Sequence, residues 1–378
     1  MSWLSKGLQI ACLALCFIGS QLYASVNGEA VPLHRQGGKD HQAPLSLSIG
    51  VESVLSEVEY EPHLDGGGFA SVENEPRYQA GRLGLTWSPT SRLDVRFSWS
   101  SRTIVSKRDQ YELDSYYLSL RYALLGKPYA WAVSFGASFG SNRAEHLTKT
   151  SFTQYEDLLI TRAGLQRPTD QQVQVNLFFS RLLSTGIDAV AYIGAGQAVL
   201  DNDGFSGTVR DGNKCRYSVN LNDNDHSIEL IDPCGAVNSF RRQYPDNAAF
   251  EQKFGIGFED VIDTTRYWQL GAQLARGKGR LRYGIGYNFQ QFYRGSIDKR
   301  LADRGGEPLE MNHTLSGWWH YQLSPRLQFE FGAQYSQHPM LNSLFVLYTA
   351  FTSERFRQDA VLFSLGFRYR FVNRSIPF

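Results

Sequence analysis

Chemistry in this chain would begin with its eight histidines, if any stood beside a nucleophile or a metal ligand. In an extended segment a histidine and the serine it activates must lie an even number of residues apart, because alternate side chains share one face. His313-Thr314-Leu315-Ser316 spaces them three apart, on opposite faces. Asp223-Asn224-Asp225-His226 offers two carboxylates and an imidazole, but in one contiguous polar stretch that reads as a solvated loop. Asp201-Asn202-Asp203-Gly204 has the opening of a calcium loop without the later acidic ligands at the required spacing. No catalytic, metal or cofactor site is therefore expected, and the function is read as non-enzymatic.

A second set of charged residues is defined by alternation. Val361, Phe363, Leu365, Phe367, Tyr369 and Phe371 alternate with Leu362, Ser364, Gly366, Arg368 and Arg370, so a strand here has one apolar, aromatic face and one largely small and basic face. Carried along the chain, the same alternation gathers Arg82, Asp94, Arg96, Arg121, Asp188, Arg282, His320, Arg326, Glu330, Arg368 and Arg370 on the polar faces. Basic members outnumber acidic ones. A water-filled space lined by them would favour anions, whereas a narrow one would be filled by arginines paired with carboxylates.

The elements that position these residues are hairpins. Alternating apolar runs flank short turns rich in Ser, Pro, Gly or Lys: Ser88-Pro89-Thr90-Ser91, Leu125-Gly126-Lys127-Pro128, Ser184-Thr185-Gly186, Arg276-Gly277-Lys278-Gly279 and Ser324-Pro325. Between the hairpins run longer polar connections, roughly 61 to 76, 103 to 110, 143 to 170, 201 to 264, 295 to 311 and 338 to 358. Five hairpins, a first strand opening at Leu45, Leu47, Ile49 and Val51, and the last strand predict an all-β, antiparallel up-and-down transmembrane barrel of twelve strands. Segments 254 to 258 and 344 to 351 would raise the count to fourteen. They are placed instead above the membrane, as strand extensions or loop structure, because promoting the first would put a long connection on the short-turn side.

The N-terminus points to export. Lys6 precedes an apolar run from Gly7 to Gly19, and Leu22-Tyr23-Ala24 before Ser25 reads as a cleavage site, so residues 1–24 are expected to be a signal peptide. Residues 25–43 read as a periplasmic or lumen-entering leader, 44–371 as the barrel and 372–378 as a tail. Loss of Lys6 lowers the formal charge of +1 by one, to zero, so nucleic acid is not an expected partner. Of four cysteines, two lie in the apolar run; Cys215 and Cys234 remain, and an even pair in an exported chain reads as a disulfide. It would close a loop of about twenty residues, worth about 3 kcal/mol on the chain-entropy model.

The closing run Leu365-Gly366-Phe367-Arg368-Tyr369-Arg370-Phe371 resembles the C-terminal strand of bacterial outer-membrane proteins. With twelve strands, the chain is similar to autotransporter translocator domains, in particular to solitary autotransporter-like barrels. The resemblance implies location in the Gram-negative outer membrane, contact with its lipid, and recognition of Phe367, Tyr369 and Phe371 by the barrel-assembly machinery. Some nineteen residues between cleavage site and first strand leave no room for a secreted passenger. The function expected is a narrow channel or a surface scaffold whose long loops meet an extracellular partner. An outer-membrane hydrolase of phospholipase or omptin type, with catalytic residues on the inner wall or rim, is the alternative.

Overall fold

The computed structural model describes residues 45–54, 77–90, 92–105, 110–125, 131–155, 158–183, 186–222, 225–235, 237–254, 257–303, 305–338, 344–349 and 359–371. The segments read from the sequence as signal peptide, leader and tail lie outside these residues. In chain order the strands are β1 (Leu45–Val54), β2 (Arg77–Thr90), β3 (Leu93–Val105), β4 (Gln110–Leu125), β5 (Ala132–Ala144), β6 (His146–Tyr155), β7 (Leu158–Gln166), β8 (Thr169–Leu182) and β9 (Ile187–Asp201). They continue with β10 (Gly204–Arg210), β11 (Arg216–Asn222), β12 (Asp225–Leu230), β13 (Arg241–Gln243), β14 (Thr264–Lys278), β15 (Leu281–Tyr293), β16 (Met311–Gln322), β17 (Leu327–Ser336) and β18 (Ala360–Phe371). Among the described residues two short helices, α1 (Asn247–Phe254) and α2 (Ser296–Asp303), sit in the long connections.

Twelve strands close an antiparallel barrel in the order β1-β18-β17-β16-β15-β14-β9-β8-β5-β4-β3-β2, and β1 pairs with both β2 and β18. The seam is fully laddered, from Leu45 opposite Phe371 to Val54 opposite Leu362, so no strand edge faces hydrocarbon there. The alternation decides which face is which. Ile49, Val51, Leu85, Trp87, Ile193, Leu274, Ile285 and Phe367 are exposed on the outside, while their polar or small neighbours point into the barrel. A soluble sheet would bury those apolar residues; a lipid-facing wall presents them. Tyr122, Trp131, Tyr283, Tyr321 and Tyr369 lie on this outer face near the short turns, and Tyr116, Tyr287 and Tyr293 toward the other end, as two aromatic girdles.

The described residues of segments 254–258 and 344–351 add no barrel strand. Phe254 ends α1, Phe258–Asp260 forms a 3-10 turn, and Phe345–Leu347 forms another. The long connections differ from the solvated loops that their composition suggests. β6, β7 and β10 run on from β5, β8 and β9 after breaks of one or two residues, and with β11, β12 and β13 they build a second sheet of six strands, ordered β13-β12-β11-β10-β7-β6. Backbone bonds carry the ladder across the breaks, Arg167 N–H to Glu145 C=O at 2.9 Å and Asp203 N–H to Gln166 C=O at 2.9 Å. The sheet is half-apolar: Leu147, Ile160, Leu165, Phe205, Val209, Val219, Leu221 and Ile228 are buried with Phe250 of α1 and Ile297 of α2. This core is continuous with apolar residues inside the barrel mouth, including Tyr78, Ile104, Leu113, Leu200, Tyr267 and Phe292.

Candidate functional site

Two regions inside the molecule hold side chains arranged for more than lining. One is the inner wall toward the short turns, the other the mouth beneath the six-stranded sheet.

On the inner wall, Asp94 stands opposite Arg121 across β3 and β4, accepts a hydrogen bond from Ser88 Oγ at 2.6 Å, and is buried. Arg121 Nε donates to Ser134 Oγ at 2.9 Å, and its guanidinium lies 4.4 Å from the centre of the Phe178 ring. Further round, Asp188 is fully buried and meets Arg282 at 3.4 Å. Arg282 lies 5.6 Å over Trp318, whose ring stacks on His320 at 4.7 Å. Glu330 Oε1 is ion-paired with Arg368 Nε at 2.8 Å and accepts from Gln328 Nε2 at 3.3 Å, and Gln328 Oε1 accepts from Arg370 Nη2 at 2.7 Å. Arg82 and Arg96 are half-buried on the same face of β2 and β3. Taking a charge from water costs several kcal/mol unless it is paired, which accounts for a carboxylate beside an arginine at three points on the wall.

Arg326 departs from the sequence expectation. The hairpin between β16 and β17 consumes residues 323–326 as a turn, β17 starts at Leu327, and Arg326 is exposed there with no wall to line. His313, by contrast, lies on the outer face, where its Nδ1 is 2.7 Å from Tyr287 Oη beside the Phe289 ring. Phe367, Tyr369 and Phe371 project outward from β18 and are exposed.

Residues 344–349, between β17 and β18, pack into the mouth against β8 and β9. Leu344, Phe345, Val346, Leu347, Tyr348 and Thr349 are all buried, Leu344 completely. Phe345 stacks on Tyr267 at 5.3 Å and meets Phe292 edge-on at 5.9 Å. A segment this apolar inside a polar barrel must have its backbone satisfied, and Val346 N–H donates to Asp170 Oδ2 at 2.8 Å. Asp170 is itself held by Asn142 and Gln172, each at 2.8 Å to Oδ1. At the other end of the segment, Tyr348 Oη donates to Asp298 of α2 at 3.1 Å and accepts from Leu309 N–H at 3.1 Å. The Arg294 guanidinium lies 4.0 Å over the Tyr348 ring, 3.7 Å from Asp298, and donates to Leu309 C=O at 2.9 Å. Burial lowers the pKa of Arg294, raises that of Asp298 against the pull of Arg294, and pushes Tyr348 up to about 12. The sequence signal for this plug was the run Leu344-Phe345-Val346-Leu347-Tyr348, too continuous for a half-wet loop and too short for a span.

Above the mouth, Cys215 and Cys234 are bonded, with Cα atoms 5.4 Å apart, tying the β10–β11 turn to the β12–β13 connection. Gly235, at φ +58°, makes the tight turn that Cys234 and Val237 close, a backbone state open to glycine at little cost.

Comparison with known proteins yields folds and no family. No family model matches the chain, and no curated protein matches it. Among solved structures it is similar to the translocator domain of autotransporter NalP from Neisseria meningitidis, at 12% identity over 92% of this chain and 96% of that one, TM-score 0.49. The CymD monoaromatic hydrocarbon channel aligns at 12% identity over 90% and 93%, TM-score 0.36. The beta domain of the Bordetella autotransporter BrkA aligns at 8% over 87% and 100%, TM-score 0.42. The likeness is one of fold. Twelve closed strands with an apolar, girdled exterior make this chain a β-barrel of the outer-membrane type.

Proposed function

We propose that the chain is a non-enzymatic, autotransporter-like barrel of the Gram-negative outer membrane that holds a stapled six-stranded sheet at the cell surface as a scaffold, its lumen closed rather than open as a channel. The burial of residues 344–349 in the mouth carries this reading. An open pore would leave that segment and the Arg294–Asp298–Tyr348 cluster in water, whereas here residues 344–349 and Arg294 are buried and Tyr348 is hydrogen-bonded to Asp298. Arg and carboxylate neighbours along the inner wall support the filled alternative to an anion path. Phe367, Tyr369 and Phe371 serve as the signal for the barrel-assembly machinery, and the exterior sheet meets the extracellular partner.

Planar-bilayer recording tests the closure. The wild-type barrel is expected to show no steady conductance, while replacing residues 344–349 by a Gly/Ser linker of equal length opens a conducting state in protein that still migrates as a folded barrel. Steady wild-type conductance would remove the scaffold reading in favour of a channel. A folded but silent linker variant would show that the seal lies elsewhere.

A further inference from the structure

Charge is distributed unevenly along the barrel axis. In the half that adjoins the short turns, the described carboxylates are Asp94, Asp188 and Glu330, and all three face inward and are buried. Cations of that end are placed the other way: Arg92, Arg181, Arg276, Lys278, Arg280 and Arg326 are all exposed. The loop end mixes its signs, with Glu112, Asp114, Glu145, Asp201 and Glu310 exposed near its rim. A formal charge of +1 over the whole chain does not produce such an asymmetry, so it is a property of placement.

Strand parity says which way these side chains point. Arg181 follows the buried Ser180 on β8, Arg276 follows the buried Ala275 on β14, and Lys278 is the next outward position on β14, so all three face the surroundings of the barrel. Arg92, Arg280 and Arg326 each directly precede a strand, β3, β15 and β17, at the rim. Both outward arginines stand at the level of the aromatic girdle. The Arg181 guanidinium lies 5.7 Å from the centre of the Trp131 ring, and Arg276 is the register partner of Tyr283. One step deeper on the same face, Leu274 and Ile285 are partners and are exposed as part of the lipid-facing wall. A girdle marks the boundary between acyl chains and headgroups, so guanidiniums beside it lie among headgroups.

The distribution round the barrel selects the partner. These cations fall at the β2–β3, β8–β9, β14–β15 and β16–β17 hairpins, and in the closed order of strands β2–β3 lies opposite β14–β15. A folded protein would cover one sector of such a ring, whereas lipid surrounds all of it. A phosphate headgroup without an ammonium of its own complements the field best. We infer that the short-turn end is a collar that selects anionic phospholipid, of the phosphatidylglycerol class, from the surrounding leaflet. Arg181, Arg276 and Lys278 meet the headgroups, and Arg92, Arg280 and Arg326 extend the positive field round the rim. The collar stands whether or not the mouth is sealed.

Spin-labelled lipids read the selection directly. With the refolded full barrel in phosphatidylcholine bilayers, the motionally restricted fraction of trace labelled phosphatidylglycerol is compared with that of labelled phosphatidylcholine. Phosphatidylglycerol should associate more tightly by about fivefold at low salt, the effect of one well-placed basic residue at a bilayer surface. That preference should fall towards unity in ~1 M salt, where the field is screened within a few ångströms. The triple variant Arg181→Gln/Arg276→Gln/Lys278→Gln should lose most of it, while Arg241→Gln/Arg242→Gln, exposed on the exterior sheet, should keep it. Heat-modifiable migration checks that both variants fold. Equal association of the two lipids with the wild type overturns the inference, whatever the variants do, and leaves the collar to a soluble acidic partner. A preference that survives in the folded triple variant also overturns it. Lipid A displacing the label more effectively than unlabelled phosphatidylglycerol would overturn the choice of phospholipid.

Discussion

At the scale of single residues, orientation on a strand sets the cost of a charge. Phe367 faces outward and is 40% exposed, so Phe367→Arg puts a cation against lipid, with an expected cost of about 2 to 4 kcal/mol near mid-membrane. Its neighbour Arg368 faces inward and is bonded to Glu330. Arg368→Gln leaves that carboxylate, 5% exposed, without its cation, and should cost roughly 1 to 3 kcal/mol by leaving a buried charge unpaired. Removing both charges, as Arg368→Gln with Glu330→Gln, should recover most of the loss. Urea titration followed by heat-modifiable migration reads all three. Equal destabilisation by the single and the double inward variants would mean that the pair is not coupled.

Among elements, the exterior sheet depends on more than its ladders. β13 contributes only three residues, Arg241–Gln243, and the described residues between β12 and β13 are almost all exposed, so the bond from Cys234 to Cys215 adds to the few contacts, Asp232 to Arg216 and Phe240 to Tyr217, that hold them. Breaking that bond with Cys234→Ser releases a closure across a sequence separation of 19 residues, worth about 3 kcal/mol in the chain-entropy model. Hydrogen exchange should accelerate over residues 204–243 while β14 to β18 stay protected, because those strands close through the barrel and not through the staple. Uniform exchange in both proteins, or two free thiols by mass spectrometry of exported protein, would contradict this.

For the whole molecule, the two ends of the barrel differ in kind. Hairpin turns such as Leu323 to Arg326 occupy one end, and the sheet, both helices and the plug occupy the other. If the second end faces outward, a bulky thiol reagent on intact cells should reach a cysteine placed at Lys214, exposed in the β10–β11 turn, in a Cys215→Ser/Cys234→Ser background. A cysteine replacing Ser324 should be reached only after the outer membrane is permeabilised. The reverse pattern would invert the barrel, and with it the surface-scaffold reading.

The barrel was legible in the sequence because lipid and lumen each read a strand two residues at a time. Leu365, Phe367, Tyr369 and Phe371 against Gly366, Arg368 and Arg370 encode face, membrane and closure in local order alone, as do the Pro- and Gly-bearing turns that fix the count at twelve. The paired cysteines were equally local in spacing and context. What only the tertiary structure decided is where the long connections go. Phe345 finds Tyr267 and Phe292, Val346 finds Asp170 at 176 residues' separation, and Tyr348 finds Asp298 of α2. None of these partners shares a period with the other, since contacts between a loop and a wall depend on register, curvature and closure of the whole barrel rather than on any stretch of chain.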